Sequence, residues 1–217
     1  MLKFGIFIDF TRHGLSGMRQ LALGISPPPE PSLENFVPGQ NVELLARLGD
    51  LRAGRLAESI LYIWGEPGSG RSHLLQACAG AGVAVADDVD SLDEHAQIDL
   101  FNRINAAREA GTAVLAAGSA PPAQLRLRED LRSRLAWGLV YHLKPLTDAE
   151  RALYLTAEAE RRGMRLSDDI AAYLLARVRR DLASLGSILD ALDRASLEQK
   201  RHLTLPLVRD VLKALDE

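Results

Sequence analysis

Cysteine is nearly missing from this 217-residue chain. Cys78 is the only one, which excludes an internal disulfide framework and suits a reducing compartment. A surplus of positive charge is missing too. Lys+Arg 26 against Asp+Glu 29 leave a net charge of -3, unlike a protein that lives on duplex DNA, so any nucleic-acid role is expected to be indirect. Long apolar runs are absent: Ile60–Trp64 is far too short to span a membrane. The apolar patch Phe4–Ile8 is interrupted by Asp9 and Arg12, and no small-residue cleavage site follows, so it does not read as a signal peptide. The five histidines lack metal-ligand spacing, and neither a Gly-x-Ser-x-Gly elbow nor a Cys-x-x-Cys pair occurs. These absences predict a cytoplasmic protein with no membrane role. What is present, 47% hydrophobic residues, can bury an ordinary core.

The chain divides into four zones. Residues 1–18 look unlike the rest: they are a genuine unstructured tail, or Met18 is the working start and they lie upstream of it. Residues 19–31 carry prolines at 27, 28, 29 and 31, which forbid helix and favour an extended spacer, leaving Gln20–Ile25 displayed as a short, partly apolar peptide. Residues 32–145 alternate apolar strands with amphipathic helices, the pattern of a parallel α/β sheet. The strands fall at Ser59–Trp64, Val83–Ala86, Thr112–Ala117 and Leu139–Leu143; in the helix Glu94–Ala110, Ile98, Phe101, Ile104 and Arg108 share one stripe whose apolar members should face the sheet. Residues 146–217 read as helices only, a small lid domain opened by a capping box at Thr147 and Glu150, with Ser167, Asp168 and Asp169 starting the next helix.

The strongest chemical signal is Gly65-Glu-Pro67-Gly68-Ser69-Gly70-Arg71-Ser72, which follows a buried strand and opens a helix. It fits the phosphate-loop pattern except that Arg71 stands where lysine is expected. Its glycines let backbone amides turn inward around phosphates, and the helix N-terminus adds positive potential. Ser72 can ligate Mg²⁺. Arginine keeps the charge but offers a planar fork in place of a compact point charge, so nucleotide binding is expected to survive while intrinsic hydrolysis is not expected to be efficient. The second half of the site is the strand ending in Asp87 and Asp88, Asp87 to hold the magnesium shell and Asp88 to orient water. Two later arginines, Arg134 and Arg180, could stabilise phosphoryl-transfer charge, although on the residues alone a surface salt bridge is the simpler reading for each. Cys78 reads as a core filler, and His73 as a residue packed beside the phosphate-loop helix.

Taken with Ser32–Gly39, Gly118–Pro122, Ser133–Gly138 and Thr204–Pro206, these motifs resemble the Hda family of DnaA-related AAA+ regulators of bacterial replication initiation, over about residues 18–217. The resemblance implies an α/β AAA+ P-loop NTPase core followed by a helical lid. It implies ADP or ATP with Mg²⁺ as cofactors, Phe36 and Val37 near the base, His73 beside the loop, Ser119 at the sensor position, and Arg180 as the lid arginine facing the nucleotide. It also implies that Gln20, Leu21, Leu23 and Ile25 bind the sliding clamp (the beta subunit of DNA polymerase III). Arg134 is then the finger that acts on the ATP of a neighbouring DnaA protomer. Partners would be DnaA and the clamp, with DNA reached indirectly, association with the nucleoid through the replisome, and a homo-oligomer as a further option. Alternatives are an autonomous ATPase resembling a helicase loader, and a DnaA-binding scaffold that activates nothing.

One departure from the family is large. Only fifteen steps separate Ser72 from Asp87, room for one short helix and one strand, where the family places a further strand and helix. The sheet should therefore lack one edge strand, leaving the edge of Val83–Ala86 open to pairing or aggregation. After Leu215 only Asp216 and Glu217 remain, so the helix-turn-helix domain of DnaA, and direct origin recognition with it, are not expected.

Overall fold

The computed structural model describes residues 30–80, 82–178, 181–199 and 202–216. Four strands, β1 (Ile60–Trp64), β2 (Val83–Ala86), β3 (Ala113–Gly118) and β4 (Leu139–His142), form one sheet in the order β2-β3-β1-β4, and every pairing is parallel. Parallel neighbours need crossovers, and helices supply them: α2 (Arg71–Cys78) leads from β1 to β2, α3 (Glu94–Ala110) from β2 to β3, and α4 (Glu129–Trp137) from β3 to β4.

Both sheet faces are covered, so the central strands are buried on either side and read as continuous apolar runs. On one face α1 (Val42–Arg52) and α2 contribute Leu44, Leu48, Leu74 and Cys78 against Leu61, Ile63 and Leu115. On the other, α3 and α4 contribute Leu100, Ile104, Leu131 and Leu135 against Ile60, Tyr62 and Val114. The stripe of α3 is shifted from the expected one. Gln97, Leu100, Ile104 and Ala107 are its buried residues, while Ile98 and Phe101 are only partly buried. Gln97 can go inside because both ends of its amide are satisfied: Nε2 donates to Leu92 O at 2.9 Å, and Oε1 accepts from Arg128 N at 2.9 Å.

The short interval between Ser72 and Asp87 makes β2 an edge strand, as its length requires. Its outward groups are less open than expected. The chain turns back so that Val83 N donates to Gly80 O (2.9 Å) and accepts from Gly80 N at its own carbonyl (3.3 Å). Arg103, on α3, donates from Nη2 to Val85 O at 3.3 Å. A folded-back turn and a cationic side chain are two of the ways a sheet edge is blunted against foreign strands.

The helices α5 (Asp148–Arg161), α6 (Asp168–Arg177), α7 (Leu182–Gln199) and α8 (Leu205–Asp216) enclose a separate core that includes Leu155, Leu174, Leu185, Leu189 and Val208. The capping box is formed: Thr147 Oγ1 accepts from Glu150 N at 3.2 Å, and the Glu150 carboxylate accepts from Thr147 N at 2.7 Å. Ser167 occupies the N-cap of α6 without a side-chain cap bond, and Asp168 and Asp169 lie in that first turn. Asn41 ties the segment before α1 to the linker between sheet and lid. It accepts from Lys144 N (2.8 Å) and donates to Lys144 O (2.9 Å) and Pro38 O (3.1 Å).

Candidate functional site

The loop Gly65–Ser72 leaves the end of β1 and enters α2 through Gly70, whose φ of +100° suits glycine; a Cβ there would also lie 2.7 Å from the Phe36 ring. The start of α2, whose first amides have no partner within the helix, borders a cleft of about 380 Å³. Its walls come from four places: Phe36 and Val37 before α1, Gly68–His73 of the loop, Lys144–Leu146 after β4, and Arg151, Asp181 and Leu182 of the lid. His73 Nε2 lies 2.9 Å from Ser32 O, and its ring packs 5.5 Å from that of Phe36. This contact binds the entering segment to the loop helix. Two buried polar atoms at the loop have no hydrogen-bond partner, Ser69 Oγ and Arg71 Nη1. Buried donors without partners are costly, and donors in a glycine loop at a helix N-terminus suit an anionic group.

The acidic segment after β2 meets the loop residue by residue. Ser72 Oγ donates to Asp87 Oδ2 at 2.5 Å, which puts a hydroxyl and a carboxylate side by side, two oxygen groups of the type that could hold a hard cation. Asp88, at a left-handed φ of +43°, is 3.3 Å from Arg71 Nη2. The Arg71 side chain is 12% exposed and lies down toward the acids. Asp90 accepts from Ser119 N (3.0 Å) and Ser119 Oγ (2.9 Å), so the serine after β3 is held by the acidic segment. Burial opposes ionisation of Asp90, but these two bonds, with the charge of Arg71 adding, outweigh it and hold the carboxyl below the usual range. Beneath them, burial pushes the Tyr62 phenol up, Asp90 reinforces the effect and Arg71 opposes it; the hydroxyl donates to Ala120 O at 2.7 Å.

Phe36, Val37, Gly68, Ser69, Gly70, Arg71, Ser72 and His73 all line the one cleft, Asp87 and Asp88 border it through Ser72 and Arg71, and Ser119 is not in its lining but is held by Asp90. Gly65 lies under the loop, where a Cβ would meet Ser69 Oγ at 2.9 Å. Pro67 sits within the loop turn. Arg134 is elsewhere. It lines a second cavity, of about 490 Å³, at the opposite end of the strands with Ile60, Ala113 and Gly138. The salt-bridge reading does not hold for it: Arg134 has no ion-pair partner among the described residues. Arg180 and the peptide residues Gln20, Leu21, Leu23 and Ile25 lie outside the described residues. Sequence reasoning missed Asp90, Arg151, Asp181 and Lys144 as members of the site. Arg151 carries a signal of its own, a charged residue one turn into the first lid helix, where it is 9% exposed and paired with Asp148.

A parallel sheet with a glycine loop at the end of a central strand, an acidic segment at the neighbouring crossover and a helical lid over the cleft make up an α/β P-loop fold with a helical lid. Residues 148–212 match the family model described as Hda, lid domain. The fold is similar to domain III of the Thermotoga maritima replication initiation protein DnaA, with a TM-score of 0.69 and 20% identity over 86% of this chain and 97% of that one. It is similar also to the replication initiator DnaA bound to AMPPCP and single-stranded DNA (TM-score 0.68, 20% identity, 79% of this chain and 68% of that one). The Thermotoga maritima RuvB Holliday junction branch migration motor resembles it at a TM-score of 0.64 and 17% identity, over 86% of this chain and 72% of that one. The fold is therefore of the AAA+ kind, and the lid resembles that of Hda. No helix among the described residues is long and apolar enough to cross a membrane.

Proposed function

We propose that the chain regulates replication initiation by acting on another protein's nucleotide. It holds ADP or ATP at Gly65–Ser72, docks on the sliding clamp through Gln20, Leu21, Leu23 and Ile25, and uses Arg134 to stimulate hydrolysis of DnaA-bound ATP, which prevents re-initiation. The observation that carries this reading is where Arg134 lies. The phosphate loop leaves the end of β1, while Arg134 borders the cavity at its start, so about 13 Å of strand separates the two ends. An arginine there cannot serve the chain's own nucleotide but is free to face a neighbour's. An arginine supplied to a partner's phosphates stabilises charge that develops in the transition state.

The chain's own nucleotide has a structural role in this scheme. Amides of the loop and the unpartnered Arg71 Nη1 bind phosphate oxygens, Phe36 and Val37 shield the base, and Arg180 and Arg151 bring the lid to the cleft. Ser72 and Asp87 would hold Mg²⁺, which when bound neutralises phosphate charge. Asp88 is drawn toward Arg71 and is placed to orient water only if that pair opens. Weak intrinsic turnover is therefore expected.

Labelled ATP on DnaA, followed with this protein and DNA-loaded clamp, tests the scheme. Conversion to ADP should need both additions. Arg134→Ala should lower stimulation by about 10³-fold and leave clamp binding intact; Gln20→Ala should abolish clamp binding. A folded protein that gives no acceleration, or that turns ATP over rapidly alone, would refute it.

A further inference from the structure

Arg134 is held in an unusual way for a charged side chain. Its guanidinium carbon lies 4.3 Å from the centre of the Trp137 ring and 5.5 Å from that of Phe101. Most other paired arginines among the described residues are neutralised by carboxylates, among them Arg55, Arg71, Arg128, Arg151 and Arg162. Aromatic faces attract a guanidinium without cancelling its charge, so the cation stays available to an anion. The Phe101 ring is fixed from behind, and Trp137 is fixed by its place in the chain. Phe101 packs against the core shared by α3 and α4. Trp137 ends α4, whose Leu131 and Leu135 are fully buried, and is followed by Gly138, where a Cβ would overlap the Ile60 carbonyl. Trp137 itself is 66% exposed, so burial does not account for its place beside Arg134.

We infer that Trp137 and Phe101 are positioning residues: they form an aromatic clamp that pre-orients Arg134, uncompensated, toward the phosphates of a partner's nucleotide. The inference rests on the role of Arg134 proposed above. A flexible arginine must lose rotamer freedom when it meets the phosphates, whereas a clamped one has already lost it, so the gain appears in the rate at saturation. Because Trp137 is exposed, removing its ring leaves no cavity in the core, and the change should not unfold the protein.

The test is clamp-dependent hydrolysis of DnaA-bound ATP, titrated with full-length Trp137→Leu, Trp137→Phe, Phe101→Leu and Arg134→Ala, each checked by thermal melting. Trp137→Leu should lower the rate at saturation by about tenfold with less than a threefold change in the half-saturating concentration, and Trp137→Phe should restore most of it. Phe101→Leu should lower the same rate by a smaller factor. If Trp137→Leu keeps the full saturated rate, or if it shifts only the half-saturating concentration, the clamp is wrong while the role of Arg134 stands. An unchanged rate in Arg134→Ala overturns that role and the clamp together.

Discussion

Three carboxylates follow β2 within four positions, and their surroundings give each a different use. Asp87 accepts from the Ser72 hydroxyl, Asp88 faces Arg71, and Asp90 takes both donors of Ser119. The last contact makes a prediction about pH. A carboxyl held below its ordinary value in the fold adds stability above its unfolded pKa of about 3.9, and that stability is lost as pH falls through the folded value. Ser119→Ala removes the hydroxyl bond and keeps the one from the backbone N–H. Its melting temperature should lie below that of the natural protein at pH 6, and the gap should shrink as the pH drops below 4; a gap independent of pH would mean that Asp90 is not the group involved. Arg71 shows the same dependence on surroundings. Its sequence position says phosphate ligand, whereas its fork is shared between Asp88 and a buried nitrogen with no partner.

At the scale of elements, α4 is placed by one residue that follows it. Gly138 lets the chain pass against the carbonyl of Ile60, where any side chain would collide with backbone. Gly138→Ala should therefore cost about 3 kcal/mol, at the upper end of overpacking effects, because backbone on one side must move. Chemical denaturation would measure it, and a loss below about 0.5 kcal/mol would show that the strand start yields easily. Displacing α4 should also spoil the clamp around Arg134, so the variant should lose stimulation beyond its loss of stability. The edge strand β2 teaches the complementary point. In the sheet its four residues pair only with β3, yet on the outward side Gly80 occupies both backbone groups of Val83 and Arg103 occupies the Val85 carbonyl. A shortened sheet is tolerated when its new edge is closed locally.

Across the whole molecule, sheet and lid meet around the cleft, and Asn41 is the joint. Buried at 5% exposure, it makes three bonds to backbone groups of Pro38 and Lys144. Asn41→Ala would take this partner from Lys144 N and Lys144 O, while Pro38 O keeps the backbone N–H of position 41 at 2.8 Å, at a cost of about 2 kcal/mol. It should also loosen the approach of the lid to the loop, where Asp181 Cβ lies 3.0 Å from the place a Gly68 Cβ would occupy. Calorimetry should find a lower melting temperature together with weaker binding of ADP. Unchanged ADP affinity in a destabilised variant would separate the joint from the site.

Much of this was legible in the sequence because it is local. The glycine spacing of 65–72, the capping box at Thr147 and Glu150, the apolar strands and the short interval before Asp87 each act through neighbours in the chain, and each has its counterpart in the structure. What the sequence could not show depends on residues brought together from afar. Gln97 is buried only because Arg128 arrives to complete its amide, thirty-one positions away. Ser119 meets Asp90 across twenty-nine positions, and Phe101 meets Arg134 across the crossover between α3 and α4. Periodicity alone placed Ile98 and Phe101 toward the sheet, but packing rotated α3 so that Leu100 and Ala107 took those places. Residue types and spacing thus determined the fold class and the glycine loop between β1 and α2, since backbone freedom and hydrophobic period are properties of short segments. The charge state of Asp90, the partner of Arg71 and the aromatic setting of Arg134 were decided by tertiary structure, because burial and pairing exist only once distant elements have met.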